Sequence, residues 1–322
     1  VEERLLPLNG LLALLTPHDH TPPLLHRAGF RLQGLEVPLT GDLGKVVVDA
    51  VLFHPDHSLI VLCECKSGAN VEAPQARKYA VIEPATVVNT VRITLTQRVE
   101  PTVVVLYICQ GQHLARIKQG LDAEKLEFPV VGVSSTGMIF DCPQSTPKVL
   151  REALQPPTLG LANVLPRLIE FDQDSPTEAF ESAVMAQLVA AMAHRKQHVG
   201  VKHIAERAAP HLALYGHGAR NQLVKKVGEA ARKIANADST SFTFQSPMAG
   251  DQDGGVVHLL KSPEENDLRG RTQGYQALMR GNRARRKKAA PADPNQLDLL
   301  QVLEQADDDG GDDVVDIGED MP

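Results

Sequence analysis

The sequence predicts an α/β fold followed by a smaller, mainly helical domain and a disordered acidic C-terminal tail, and three observations lead there. Strand-like runs with both faces apolar alternate with helical stretches over the first half, the pattern of a central sheet covered by helices. Past the proline-bearing segments Pro156-Pro157 and Ser175-Pro176 the apolar spacing turns helical. Beyond Lys261 apolar residues thin out and like charges bunch, the composition of a chain that cannot bury a core. The expected divisions are therefore a sheet domain at 1–155, a linker at 156–176, a second domain at 177–261 and a tail at 262–322 that is first basic and then acidic.

The elements follow in order. PLLHRAGFRLQGLEVPL reads as a helix stopped at Gly29 that feeds an extended segment. Val46 to Ile60 reads as a hairpin: VVVDAVLF, a turn at His54-Pro55-Asp56-His57, then a second strand beginning LIVLCECK. Further strands are expected at Thr102 to Ile108 and Val130 to Val133, with a helix near Ala115 to Gly120 between them. In the second domain Glu178 to His194 is rich in helix formers, and shorter helices follow near Val201 to Ala209 and Ala219 to Ala235. SFTFQ, a Gly/Asp-rich turn at Gly250 to Gly255 and VVHLL then form a hairpin. Three helices and a two-stranded hairpin is the order of a winged helix-turn-helix.

Charge is distributed unevenly. The net charge is −7, but eleven acids and no bases follow Lys288, so residues 1–288 carry 33 bases against 29 acids, a net +4. That part is compatible with phosphate backbones, while the tail repels them. No apolar run approaches the roughly 18–20 residues of a membrane-spanning helix, and the opening Val-Glu-Glu-Arg lacks the basic start and long apolar stretch of a secretory signal. A cytoplasmic location without membrane association is expected. The four cysteines, Cys63, Cys65, Cys109 and Cys142, lack the paired spacings of an iron–sulfur site and read as reduced core thiols. The twelve histidines, His18-Asp19-His20 included, show no zinc spacing and read as loop residues.

Chemistry concentrates at Cys63-Glu64-Cys65-Lys66. The two-residue strand period puts Glu64 and Lys66 on one face and the cysteines on the other. Asp49, on the preceding strand, can be brought beside Glu64 through the short turn. Two carboxylates and a backbone carbonyl, that of Cys65, suit Mg2+ or Mn2+, with several waters left for substrate and nucleophile. Lys66 would orient or deprotonate the attacking water. An E-x-K triplet by itself also fits an exposed strand that alternates acids and lysines.

The context from Pro23 to Tyr79, a helix ending at Gly29-Phe30, the hairpin bearing Asp49, then VLCECKSG and a following helix, resembles the PD-(D/E)xK, or restriction-endonuclease-like, superfamily. Val48 stands where the family name has proline. The resemblance implies a central mixed sheet flanked by helices and metal-dependent cleavage of DNA by Asp49, Glu64 and Lys66. It further implies that Gln75 and Tyr79 are the Q-x-x-x-Y of the RecB-like branch, close to the catalytic residues; at i, i+4 they share a helix face, as two solvated polar residues also would. Many relatives carry a first-helix glutamate on the metal. Here that place holds Asp19-His20, Glu36 lies beyond the helix, and the ligand is unassigned.

Partners follow from the remaining charges. Arg220, Lys225, Lys226, Arg232 and Lys233 on the last helix of the second domain would contact DNA in the manner of a recognition helix, or form a solvated basic face. Arg283, Arg285, Arg286, Lys287 and Lys288 form a dense run suited to non-specific phosphate contact. In the tail, Gln296, Leu297, Asp298, Leu299 and Leu300 resemble the pentapeptide with which bacterial replication and repair proteins dock on the sliding clamp, or start a small amphipathic helix. The function expected is a metal-dependent nuclease in phage defence, restriction or repair. The alternatives are a DNA-binding or assembly subunit with a silent nuclease-like fold, and a nuclease subunit activated by a partner ATPase or sensor. Oligomeric state stays open, with a dimer compatible.

Overall fold

The structure is a computed structural model and describes residues 3–17, 21–95, 99–161, 165–247 and 254–260. The first half builds a seven-stranded mixed sheet flanked by helices. Helices α1 (Leu6–Leu15) and α2 (Leu24–Arg27) lead into strands β1 (Arg31–Gly41), β2 (Gly44–His54) and β3 (Leu59–Lys66). Helices α3 (Ala73–Ala80) and α4 (Pro84–Val91) precede β4 (Thr102–Gln110), and α5 (Leu114–Ala123) precedes β5 (Val130–Val133). β6 (Gly137–Asp141), α6 (Lys148–Ala153) and β7 (Thr158–Gly160) close the sheet. Its spatial order is its chain order, β1 to β7. β1, β2 and β3 form an antiparallel meander, β3, β4 and β5 run parallel, and β6 and β7 are antiparallel again. The parallel pairs are the ones joined through helices, since two parallel strands need a crossover between them.

Local signals account for the joints. Gly29, at φ +96°, ends α2 in the left-handed region that glycine tolerates. The expected turn at His54 to His57 is a single 3-10 turn, Pro55–His57, closed by Ser58 at φ +46°. α1, an apolar stretch without a polar face, is buried along nearly its whole length. It lies on β5 at Gly10, where a Cβ would stand 2.6 Å from a Val133 methyl.

The second half continues with α7 (Thr177–Ala193), β8 (His198–Gly200), α8 (Val201–Ala208), α9 (His217–Ala237), β9 (Phe242–Gln245) and β10 (Val256–Leu259). A second sheet has the order β8-β10-β9, antiparallel throughout. The three helices and the hairpin fall where the sequence places them. β8 goes unread because three residues carry no period. Residues 156–176, expected as a linker, contain β7 and a segment fastened to α1. The buried Asn9 side chain there accepts from the Leu168 and Ile169 N–H groups at 2.8 Å each and donates to the Ile169 and Leu5 carbonyls. Arg4 grips Asp172 with two hydrogen bonds at 2.5 and 2.6 Å. None of the described helices is long and apolar enough to cross a membrane. The tail, with Arg283, Arg285, Arg286, Lys287, Lys288 and Gln296 to Leu300, lies outside the described residues, as do His18, Asp19 and His20.

Candidate active site

The site lies where β2 and β3 part. Their antiparallel ladder ends at Ala50–Cys63, so Asp49 and Glu64 occupy the next opposed positions. Asp49 Oδ2 accepts the Cys65 N–H at 2.5 Å. Strand geometry turns the Cys65 carbonyl toward the same edge. On the other side of β2, the rungs Leu35–Ala50 and Val37–Val48 set Glu36 of β1 opposite Asp49.

That level of the hairpin is kinked. Strict alternation from Val51 and Phe53 would put Val48 and Val46 on the far face, yet all four belong to one core with Ile60, Leu62, Val37 and Leu39. The change of face falls between Val48 and Val51, and opposite it stands Glu36, a non-glycine residue at φ +49°, a conformation that costs about 1–3 kcal/mol and persists only when its surroundings fix it. Two acids thus sit at the kink, with Glu64 on the adjoining strand.

Glu64 is 4% exposed and belongs to a closed circuit of hydrogen bonds. Lys66 Nζ lies 2.8 Å from Glu64 Oε1 and donates to Gln75 Oε1 at 2.9 Å and Glu72 Oε1 at 3.0 Å. Gln75 Nε2 donates to the Tyr79 hydroxyl at 2.8 Å, and that hydroxyl faces Glu64 Oε2 and, at 2.7 Å, the Val47 carbonyl. One phenolic proton is shared between those two acceptors. The i, i+4 spacing on α3 therefore places Gln75 and Tyr79 inside the site, with Tyr79 buried.

Electrostatics mark a region short of positive charge. Burial, then the charges of Glu64 and Glu36, hold the Asp49 carboxyl well above the usual carboxylate range, against the Cys65 hydrogen bond. Burial also lifts Glu36 to about 7, with Gln173 hydrogen-bonded to it and Asp172, Asp174 and Glu64 adding repulsion. Burial would lower the Lys66 ammonium, but Glu64 and Glu72 outweigh it and hold it above its ordinary value. Lys66 is thus charged at neutral pH, one cation facing several acids.

Oxygen donors of this kind suit a hard divalent ion. Among the described residues no three His, Cys, Asp or Glu side chains are already spaced as a cation cage. Asp49 is occupied with the Cys65 N–H, and Glu64 with Lys66 and Tyr79.

The second half of the chain braces this corner. The Gly216 N–H donates to the Leu35 carbonyl at 2.8 Å, and Tyr215 bridges to Leu35. A Cβ at Gly216 would stand 2.3 Å from the Glu36 carbonyl oxygen, so only glycine allows this approach. Gly216→Ala is expected to cost about 1–3 kcal/mol by overpacking and to displace Glu36. An unchanged melting temperature would show that the loop does not hold the kink.

The basic residues of α9 are placed differently from the carboxylates. Arg220 donates to the Ala213 and Tyr215 carbonyls, Lys226 to the Ser175 carbonyl, and Lys233 pairs with Glu178 and Glu181. Arg232 stacks over Phe244 at 5.1 Å. Among the described residues Lys225 reaches only Glu229, at 3.9 Å, and its side chain is 76% exposed. Two participants escape the motif: Glu36 and Glu72. Glu36 carried one signal, a lone acid inside the apolar LEVPL. Comparison with protein-family models, curated proteins and solved structures returned no match.

Proposed function

We propose that the chain is a metal-dependent nuclease that hydrolyses DNA phosphodiester bonds, with Asp49, Glu64 and Lys66 at its centre. The observation that carries this reading is the circuit Glu64–Lys66–Gln75–Tyr79 closed beside Asp49. It gathers five residues from two strands and a helix into one half-buried corner, the set the PD-(D/E)xK resemblance names. The meander β1-β2-β3 with parallel β4 and the intervening α3 supports the same likeness. Packing alone does not call for so many acids in one buried place, because each costs desolvation unless paired.

In this reading Asp49, Glu64 and the Cys65 carbonyl would hold Mg2+ or Mn2+, with Glu36 adding a third carboxylate to the cluster. When bound, such an ion supplies charge neutralisation and a water of lowered pKa. The chain's own residues do the rest. Lys66, kept protonated by Glu64 and Glu72, orients the attacking water and offsets charge on the phosphate instead of taking a proton. Gln75 and Tyr79 fix where Lys66 and Glu64 point. The Asp49 carboxylate, anchored on the Cys65 N–H, keeps its second oxygen for the site.

The arrangement α7-β8-α8-α9-β9-β10 supports a winged-helix reading of the second half, with α9 as its long third helix. Four of the five basic side chains proposed to meet DNA are engaged within the chain, so their first contribution is to hold α9 against its surroundings. In that case DNA contact falls on Lys225 and on the run Arg283 to Lys288.

Incubation of the purified protein with circular and linear DNA and magnesium or manganese tests the proposal. Nicked circles indicate an endonuclease, and digestion confined to linear DNA indicates end-dependent action. No cleavage with either ion, alone or with a delivering partner, would instead support a silent DNA-binding or assembly subunit.

A further inference from the structure

Tyr107 stands on β4 in the register position that faces Glu64 on β3. Neighbouring residues of paired strands project to the same face about 4.8 Å apart, so its ring rises beside Glu64. The residue is fully buried, its ring stacked on Phe128 with centroids 6.0 Å apart and planes 12° apart. Its hydroxyl is buried too and has no hydrogen-bond partner among the described residues. Phenylalanine would supply the same packing and stacking without the cost of a stranded hydroxyl. The packing therefore does not explain the oxygen.

The surroundings indicate what would use it. Glu64, Glu72 and Asp49 act on this phenol, and burial together with their charges keeps its proton on. It is a donor set among acceptors. Glu64 now takes its donors from Lys66 and Tyr79. Tyr79 is pinned by Val47 and Gln75, whereas Lys66 divides itself among Glu64, Glu72 and Gln75. If Lys66 turns toward a phosphate, as the nuclease reading requires, Glu64 gives up its lysine hydrogen bond inside a buried site.

We propose that Tyr107 is a positioning residue for Glu64, its hydroxyl donating to the carboxylate whenever Lys66 withdraws. The relay keeps Glu64 in place while the lysine serves the substrate. It rests on the nuclease reading for its purpose, but not for its existence.

A double-mutant cycle without DNA or metal separates the two. In chelator, Tyr107→Phe should leave the melting temperature of the parent unchanged or raise it, because it removes an unpartnered hydroxyl. In the Lys66→Met background the same change should lower the melting temperature by roughly 2–4 °C, because Glu64 then depends on Tyr107. Equal shifts in both backgrounds would overturn the relay. If Lys66→Met does not fold, Tyr107→Phe in the otherwise native chain still decides. It should lower kcat about tenfold with KM for DNA unchanged, and a native kcat would refute the proposal. A positive cycle in a protein that cuts no DNA would leave the relay standing and remove the nuclease reading.

Discussion

Asp49→Asn and Glu64→Gln proteins are expected to lose DNA cleavage by at least about 10³-fold while remaining folded. Each exchange keeps the shape of the side chain and removes one negative charge from the proposed ion site. A bound ion supplies several kcal/mol of charge stabilisation, and at about 1.4 kcal/mol per tenfold, a loss of roughly 4 kcal/mol gives that factor. Stability should move the other way for Asp49→Asn. The amide can still accept the Cys65 N–H, and it has no ionised form for burial and the charges of Glu64 and Glu36 to oppose. Its melting temperature at neutral pH should match or exceed that of the parent. Lys66→Ala should also stop cleavage but leave metal affinity largely intact, which isothermal titration with manganese can separate. Native cleavage rates in any of the three would refute the assignment.

Much of the sheet is legible in the sequence because its strands are bounded by signals that act locally. Gly29, the His54-Pro55-Asp56-His57 turn and the β-branched runs each fix their own joint. The short strands β6 and β7, the latter at the sheet edge, and the three-residue β8 are not legible, since each owes its conformation to a neighbour already in place. The candidate site divides along the same line. Glu64 and Lys66 share a face by strand period, and Gln75 and Tyr79 by helix spacing, so one segment contains the circuit. Glu36 and Tyr107 enter through strand register and a kink. Those depend on how β1 meets β2 and how β4 meets β3, which a motif of fixed spacing does not encode.

The bracing of Glu36 shows why the two halves of the chain are energetically joined. Its left-handed backbone and raised carboxyl both cost stability, and the contacts that offset them come from Gln173, Tyr215 and Gly216. Asn9 and Arg4 in turn hold the segment that carries Gln173. Strain at one residue is thus balanced by partners as distant as the N-terminal helix and the loop before α9, an arrangement that favours a functional role for the strained residue over an incidental one.

The pH dependence of stability isolates that residue. In chelator, ionisation of Glu36 alone is expected to cost the protein up to about 3 kcal/mol as pH rises from 4.5 to 7, and Glu36→Gln should remove that share of the pH dependence. The sign follows from proton binding. Glu36 goes from its ordinary 4.5 in the unfolded chain to about 7 when folded. Below pH 4.5 both states hold the proton and its contribution is complete. Between the two values the unfolded chain has released the proton and the folded one keeps it, so stability falls with rising pH, and above 7 the contribution is gone. At about 1.36 kcal/mol per unit the gap gives the stated size. Asp49 is raised as well and adds in the same direction. Asp172 runs opposite, because Arg4 outweighs its burial and holds its carboxyl below 3.8, so its contribution is lost only as pH falls beneath this window. Urea unfolding at pH 4.5, 6 and 7.5 therefore reads the two raised acids against His211, which burial holds below its ordinary 6.5 and whose contribution to stability grows as pH rises. The difference between parent and Glu36→Gln isolates Glu36. Gln at position 36 keeps a partner for Gln173 but cannot ionise, so its curve should be flatter than that of the parent. Parallel curves for the two proteins would show that Glu36 ionises as freely when folded as when unfolded, and would take it out of the site.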